Sequence, residues 1–295
     1  MYPYTLTITN NTPLPDHMKN IIGIDLGGTS IKGGRIEGES IVMQASADTQ
    51  AALGGEVTIG VLKGVISKLI NNETEAIGIG VPSVVDRKEG IVYNVQNIAG
   101  WDEVPMKSIL EKEFGIPVYI DNDANCFAYG EKIFGKGKDL KNFVGVTLGT
   151  GVGSGIIQNG HLLSDANCGS GEFGEIPYMG AKLEDYCGSR FFTKGTDSNG
   201  YEISLKARAG EAEAIRKFEE YGEHLAYLIK LIVLTLDPEA VIFGGSIAGS
   251  FDLFHESIRA NFGDFSYPKS LEKLLIMASE QKDCGILGAG SLCIS

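Results

Sequence analysis

Asn20-Ile21-Ile22-Gly23-Ile24-Asp25-Leu26-Gly27-Gly28-Thr29 and Asn142-Phe143-Val144-Gly145-Val146-Thr147-Leu148-Gly149-Thr150-Gly151 decide the fold, because the chain writes one pattern twice. Residues 20–38 and 142–160 align without a gap at a constant offset of 122. Six positions are identical: Asn20/Asn142, Gly23/Gly145, Leu26/Leu148, Gly27/Gly149, Gly33/Gly155 and Gly38/Gly160. Ile22/Val144 and Ile24/Val146 keep the β-branched side chains that suit a buried, pleated surface. Each copy reads as an apolar strand, a Gly/Thr turn, a second strand, and a Gly turn into a third. Two related domains are the inference.

Outward from each copy the pattern is that of βαβ units. Apolar residues at helical spacing over residues 57–70 lead to a short buried strand, Ala76–Val81, ended by Pro82. Pro105 opens a helix through Phe114 that Gly115 and Pro117 stop. A strand over residues 118–120 then runs into Asp121-Asn122-Asp123, and a helix over 124–134 leaves for the second half. There the repeat is followed by an irregular, Gly-rich stretch at 167–180 and a long helix from about Ala207 to Leu236. A strand over 240–243 meets Gly244-Gly245, and a final helix starts at about Gly288. The domain break is expected at residues 121–123.

Of the 295 residues, 43% are hydrophobic and 21% charged, which supplies a core and excludes global disorder. Lys and Arg number 25 against 38 Asp and Glu, so the net charge is −13, and neither a basic stripe nor a basic block offsets it. Nucleic acid and anionic membranes are therefore poor partners. The five cysteines are odd in number, widely spaced and free of any C-x-x-C pair, which reads as free thiols in a reducing cytoplasm. No apolar run approaches the roughly 20 residues that span a bilayer. The N-terminus has neither the basic nor the apolar region of a secretory signal.

Asp25-Leu26-Gly27-Gly28-Thr29 ends a strand with a carboxylate, two glycines and a hydroxyl. Such a turn can aim backbone N–H groups at a polyphosphate while the carboxylate holds the accompanying Mg²⁺. The same residues fit a plain hairpin turn. The second copy, Gly149-Thr150-Gly151, offers another anion turn at the equivalent place. Asp123 fits a base that accepts the proton of a hydroxyl attacking a γ-phosphate, and it equally fits a helix N-cap. Trp101 fits core packing or stacking on a ligand.

The ordered set Asp25-Leu26-Gly27-Gly28-Thr29, Asp121-Asn122-Asp123-Ala124-Asn125, Leu148-Gly149-Thr150-Gly151-Val152-Gly153, Gly171-Glu172-Phe173-Gly174 and Val241-Ile242-Phe243-Gly244-Gly245 resembles the ROK (repressor, open reading frame, kinase) family of sugar kinases. The resemblance covers nearly everything from Ile21 onward. It implies an α/β fold of two ribonuclease-H-like domains, as in actin-like ATPases, with ATP and a sugar in the cleft between them. The expected limits are an extension at 1–20, one domain at 21–121 plus 285–295, and the other at 122–284.

The resemblance also implies roles. Asp123 is the catalytic base, and Asn97, Asn122, Asp123, Glu172 and Glu184 hold the sugar. Gly27, Gly28, Thr29, Lys32, Gly149, Thr150, Gly151, Gly244 and Gly245 hold ATP, and Asp25 holds Mg²⁺ through water. One departure stands out: where the family has a His after Gly-Glu-x-Gly and then a cysteine cluster for structural zinc, this chain has Glu175 and no cysteine at 176–183. No zinc is expected. Glu175 either contacts a sugar hydroxyl in place of the His or is simply solvated. The expected activity is ATP-dependent phosphorylation of a hexose's primary hydroxyl, glucose first, in a cytoplasmic homodimer. The alternatives are an N-acetylglucosamine or N-acetylmannosamine kinase and a non-catalytic sugar-sensing transcriptional regulator. Family regulators carry a helix-turn-helix before the first phosphate turn, for which the twenty residues ahead of Ile21 are few.

Overall fold

The protein is described here by a computed structural model covering residues 20–95, 98–166, 168–195, 198–263 and 265–294. Its first half runs β1 (Ile21–Leu26), β2 (Ser30–Glu37), β3 (Ser40–Asp48), α1 (Gly55–Leu69), β4 (Ala76–Val81), β5 (Val84–Asp86), β6 (Ile91–Tyr93), β7 (Glu103–Val104), α2 (Met106–Phe114), β8 (Val118–Asn122) and α3 (Asp123–Ile133). The second runs β9 (Phe143–Leu148), β10 (Val152–Gln158), β11 (His161–Leu162), β12 (Pro177–Tyr178), β13 (Ala181–Lys182), α4 (Glu184–Cys187), α5 (Arg190–Thr193), α6 (Gly200–Arg208), α7 (Ala212–Leu236), β14 (Ala240–Gly244), α8 (Phe251–Ala260), α9 (Pro268–Lys273), β15 (Leu275–Ala278) and α10 (Cys284–Ser291).

Two five-stranded sheets dominate, ordered β3-β2-β1-β4-β8 and β11-β10-β9-β14-β15. In each, three strands form an antiparallel meander and two more continue parallel to its first strand. This is the duplicated ribonuclease-H-like α/β architecture that the family resemblance implies. Strand periodicity of two divides the faces of β1. Ile22, Ile24 and Leu26 pack with Leu62, Val65, Ile66 and Leu69 of α1, while Gly23 and Asp25 point to the opposite face.

That opposite face is nearly bare, and α10 lies almost on the backbone. A Cβ on Gly23 would stand 2.0 Å from the Ile286 carbonyl oxygen, and one on Gly78 only 1.9 Å from that of Ala289. In the second sheet α7 covers the apolar face, and α3 rests on Gly145, Gly153 and Gly155. The two glycine-seated helices meet each other at Gly130 and Gly288. Gly→larger substitutions at such contacts force backbone shifts.

The repeat is real but its constant offset is not. Leu26 pairs with Ile31, enclosing residues 27–30, whereas Leu148 pairs with Val152, enclosing 149–151. The first turn is one residue longer, so beyond it the copies slip by one. Gly23 faces Gly34, and Gly145 faces Gly155. The counterpart of Gly155 is therefore Gly34, and Gly33 turns instead towards Ile24 and Leu69.

Other expectations shift too. The long helix expected from about Ala207 is two helices, because Gly210 adopts φ +88° between α6 and α7. The last helix starts at Cys284, a turn before Gly288. The end of the stretch at 167–180, expected to be irregular, instead enters the β12–β13 hairpin, turned at Met179 and Gly180 with φ of +48° and +79°. Trp101 is core, 2% exposed and pressed against Gly55. The five cysteines are free.

Candidate active site

The site assembles where the parallel strands end. Asp25, Gly80 and Asp121 lie in one row across β1, β4 and β8. Gly80 leaves the row open, because its missing Cβ would touch Cys126 Sγ at 3.1 Å and approach the Asp123 Cα at 3.6 Å. Asp123 follows as the first residue of α3. The N-cap is Asn122, whose Oδ1 accepts from Ala124 N at 2.8 Å while its Nδ2 donates to the Ser83 carbonyl at 3.2 Å. Capping is thus done by the neighbour, and Asp123 Oδ1 accepts from Ala124 N at 2.8 Å. Among the described residues its Oδ2 has no such bond.

Asp123 is solvent-exposed. Even so, burial among surrounding protein, reinforced by the negative charges of Asp25 and Glu172, pushes its pKa up to about 6. Asp25 is raised as well, by burial, with Lys32 opposing. Glu172 is raised by burial and then by Glu175 and Glu184. Carboxylates from both halves therefore share one electrostatic environment.

The first glycine turn is held from behind by Thr49, fully buried. Its N–H donates to the Thr29 carbonyl at 3.0 Å and its hydroxyl to the Gly27 carbonyl at 2.7 Å. With these carbonyls drawn back, Thr29 is left exposed at the tip. Lys32 faces Asp25 across the hairpin and, with Gln44, Ser46, Asp283 and Ile286, lines a shallow pocket beside it. Gly285, in the first turn of α10, leaves room for the Asp25 carboxylate, since a Cβ there would stand 2.5 Å from Oδ2.

In the second turn Gly149 N donates to the Gly151 carbonyl at 3.1 Å, and Ser189 N to the Gly149 carbonyl at 2.8 Å. Thr150 is exposed. Gly151 faces Glu184, whose Oε2 would stand 2.6 Å from a Cβ there. Gly244 pairs with Thr147, and Gly245, at φ +83°, lies against the Leu148 backbone. The Gly244-Gly245 turn and the second glycine turn are therefore neighbours, at the ends of adjacent strands β14 and β9.

On the other side, Glu175 pairs with Lys182 at 2.6 Å, both half-exposed. This ion pair spans the foot of the β12–β13 hairpin. Asn97 lies outside the described residues. The structure thus brings Asp25, Asn122, Asp123, Glu172, Glu175 and Glu184 to one region beside the glycine turns. Three residues that shape it carry no local sequence signal. Thr49 sits in a polar turn, Arg87 in the charged stretch Asp86-Arg87-Lys88-Glu89, and Asp165 in a loop. Arg87 Nε nevertheless pairs with the buried Asp121 at 3.1 Å.

Known proteins resemble this chain over most of its length. The glucokinase of Halalkalibacterium halodurans is 29% identical over 92% of this chain and 94% of its own length. The xylose repressor of Bacillus spizizenii is 28% identical over 92% of this chain and 76% of its own length. The structure of a ROK family glucokinase from Streptomyces griseus, in complex with glucose and AMPPNP, superposes with a TM-score of 0.77 at 27% identity, covering 92% of this chain and 98% of that one. The profile of the ROK family matches residues 21–295, and the chain belongs to that family.

Proposed function

We propose that the protein is an ATP-dependent sugar kinase that phosphorylates the primary hydroxyl of a hexose, with glucose the first candidate and N-acetylhexosamines next. The observation that carries the reading is Asp123, an exposed carboxylate whose pKa is pushed up to about 6 by burial and by the charges of Asp25 and Glu172. That pKa lets it be ionised at neutral pH yet basic enough to accept a proton. As the sugar oxygen bonds to the γ-phosphorus and the bridging bond to ADP breaks, the hydroxyl proton passes to Asp123 Oδ2. Oδ1 stays on Ala124 N, which fixes the carboxylate's orientation.

Gly27, Gly28, Thr29, Lys32, Gly149, Thr150 and Gly151 are assigned to the phosphates, and Gly244 and Gly245 to the adenosine side. Asn122, Glu172 and Glu184 are assigned to sugar hydroxyls, where an unmatched buried partner would penalise the wrong epimer. Residues 21–121 with 285–295 form one lobe of this cleft and 122–284 the other. The donor set suits hydrated Mg²⁺. Asp25 offers carboxylate oxygens, and among the described residues no group of three carboxylates, thiols or imidazoles encloses a bare ion. The ion would offset the charge that these carboxylates and a polyphosphate accumulate together.

The test is ADP release with Mg²⁺·ATP across a panel of hexoses and N-acetylhexosamines, beside Asp123→Asn. Sugar-dependent release in the parent chain and its loss in the variant are expected. The similarity to a xylose repressor supports a second reading, a sugar sensor. Sugar binding by calorimetry without turnover on any sugar would establish that reading instead.

A further inference from the structure

Arg87 follows β5 in the first half, yet its guanidinium is shared between halves. Nε pairs with Asp121 Oδ2 at 3.1 Å on β8. Nη1 donates to the Leu163 carbonyl at 3.1 Å, and Nη2 faces Asp165 Oδ1 at 3.6 Å, both in the loop after β11. Each partner is anchored in turn. Asp121, whose side chain is 3% exposed, accepts from Asn122 N at 2.7 Å and Asn125 Nδ2 at 2.8 Å through Oδ1. Asp165 Oδ2 accepts from Ser170 Oγ at 2.7 Å and Ser170 N at 3.1 Å. Ser154 Oγ, on β10, donates to the next carbonyl, Gly171. An unbroken polar chain thus runs from Asn122-Asp123 through Asp121, Arg87, Asp165 and Ser170 to Gly171-Glu172.

We propose that Arg87 is a positioning residue that ties the strand end bearing Asp123 to the loop bearing Glu172, and so sets the width of the sugar side of the cleft. It touches no substrate in this scheme. A planar guanidinium suits the task because it reaches a carboxylate, a carbonyl and a second carboxylate in fixed directions, which a lysine ammonium cannot do together. The glycine turns have no part in the chain, so the nucleotide side is expected to be indifferent to it. The kinetic arm of the proposal rests on the kinase reading; the structural arm does not.

Two variants test it: Arg87→Met, and Asp165→Asn, which leaves the buried Arg87–Asp121 pair and an acceptor for Ser170 in place. Both are expected to raise the sugar KM about tenfold while the KM for ATP stays within about twofold. Arg87→Lys is expected to restore only part of the loss. Independently of turnover, hydrogen exchange at the Ser170 amide, whose N–H donates to Asp165 Oδ2, is expected to quicken in both variants. Unchanged exchange and unchanged sugar KM would overturn the proposal, and so would equal rises in both KM values. If the parent chain turns over no sugar, the kinase reading fails and the exchange result alone decides the role of Arg87.

Discussion

A carboxylate in the first turn of a helix is ordinarily held acidic by the helix dipole and free N–H groups. Asp123 has that position and the Ala124 N–H bond, yet burial and the charges of Asp25 and Glu172 win, and its pKa rises to about 6. As a base it works only when ionised, so kcat/KM is expected to climb with pH and level off above about 6. Glu172→Gln removes one neighbouring negative charge and stabilises the ionised form, so the acidic limb should move to lower pH. Asp123→Asn should lower kcat by about 10²- to 10⁴-fold, measured by coupled ADP assay. The sequence disclosed Asp123 through its place between strand and helix. It did not disclose that Asn122 takes the cap, because Asn and Asp compete equally well there until the backbone is fixed. Nor did it disclose Thr49 or Arg87, whose partners lie far along the chain.

At the level of elements, glycine has two opposite meanings in this molecule. Under α10 and α3 it is a seat for a helix; in the exposed middle of α1 it is only a loss of stiffness. Gly78→Ala, which would put a Cβ 1.9 Å from the Ala289 carbonyl oxygen, should destabilise by about 1–3 kcal/mol or prevent folding. Gly64→Ala, with nothing within 4 Å of the new Cβ, should stabilise by about 0.5–1 kcal/mol. Urea titration of both variants checks the contrast. The strands and their pairing grammar were legible, since β-branched runs and Gly turns are local signals. The split at Gly210 was not, because apolar spacing continues on both sides of it. The one-residue slip after the first turn was hidden by chance identities, Gly33 with Gly155 and Gly38 with Gly160.

Across the whole molecule, the chain passes between the two sheets at Asn122-Asp123 and again over residues 279–283. The second passage is fastened by Glu131, 1% exposed at the far end of α3. Its carboxylate accepts from Ser279 Oγ and from Lys136 N, and Lys136 Nζ donates to the Ala278 carbonyl at 2.7 Å. Glu131→Ala strands two donors and should cost about 1–3 kcal/mol, while Glu131→Gln, which keeps an acceptor oxygen, should cost less in the same urea titration. This fastening pairs groups 148 residues apart, and neither Glu131 nor Ser279 belongs to any motif, so no reading of the sequence could have joined them.

The unequal turns have a meaning for whatever lies between them. Had both arms been true copies, a ligand spanning them would have met the same grip at either end and could have lain in two opposite directions. The extra residue at 27–30 breaks that equivalence. A molecule reaching from one turn to the other would therefore meet two unlike ends, and one whose own ends differ could be told head from tail.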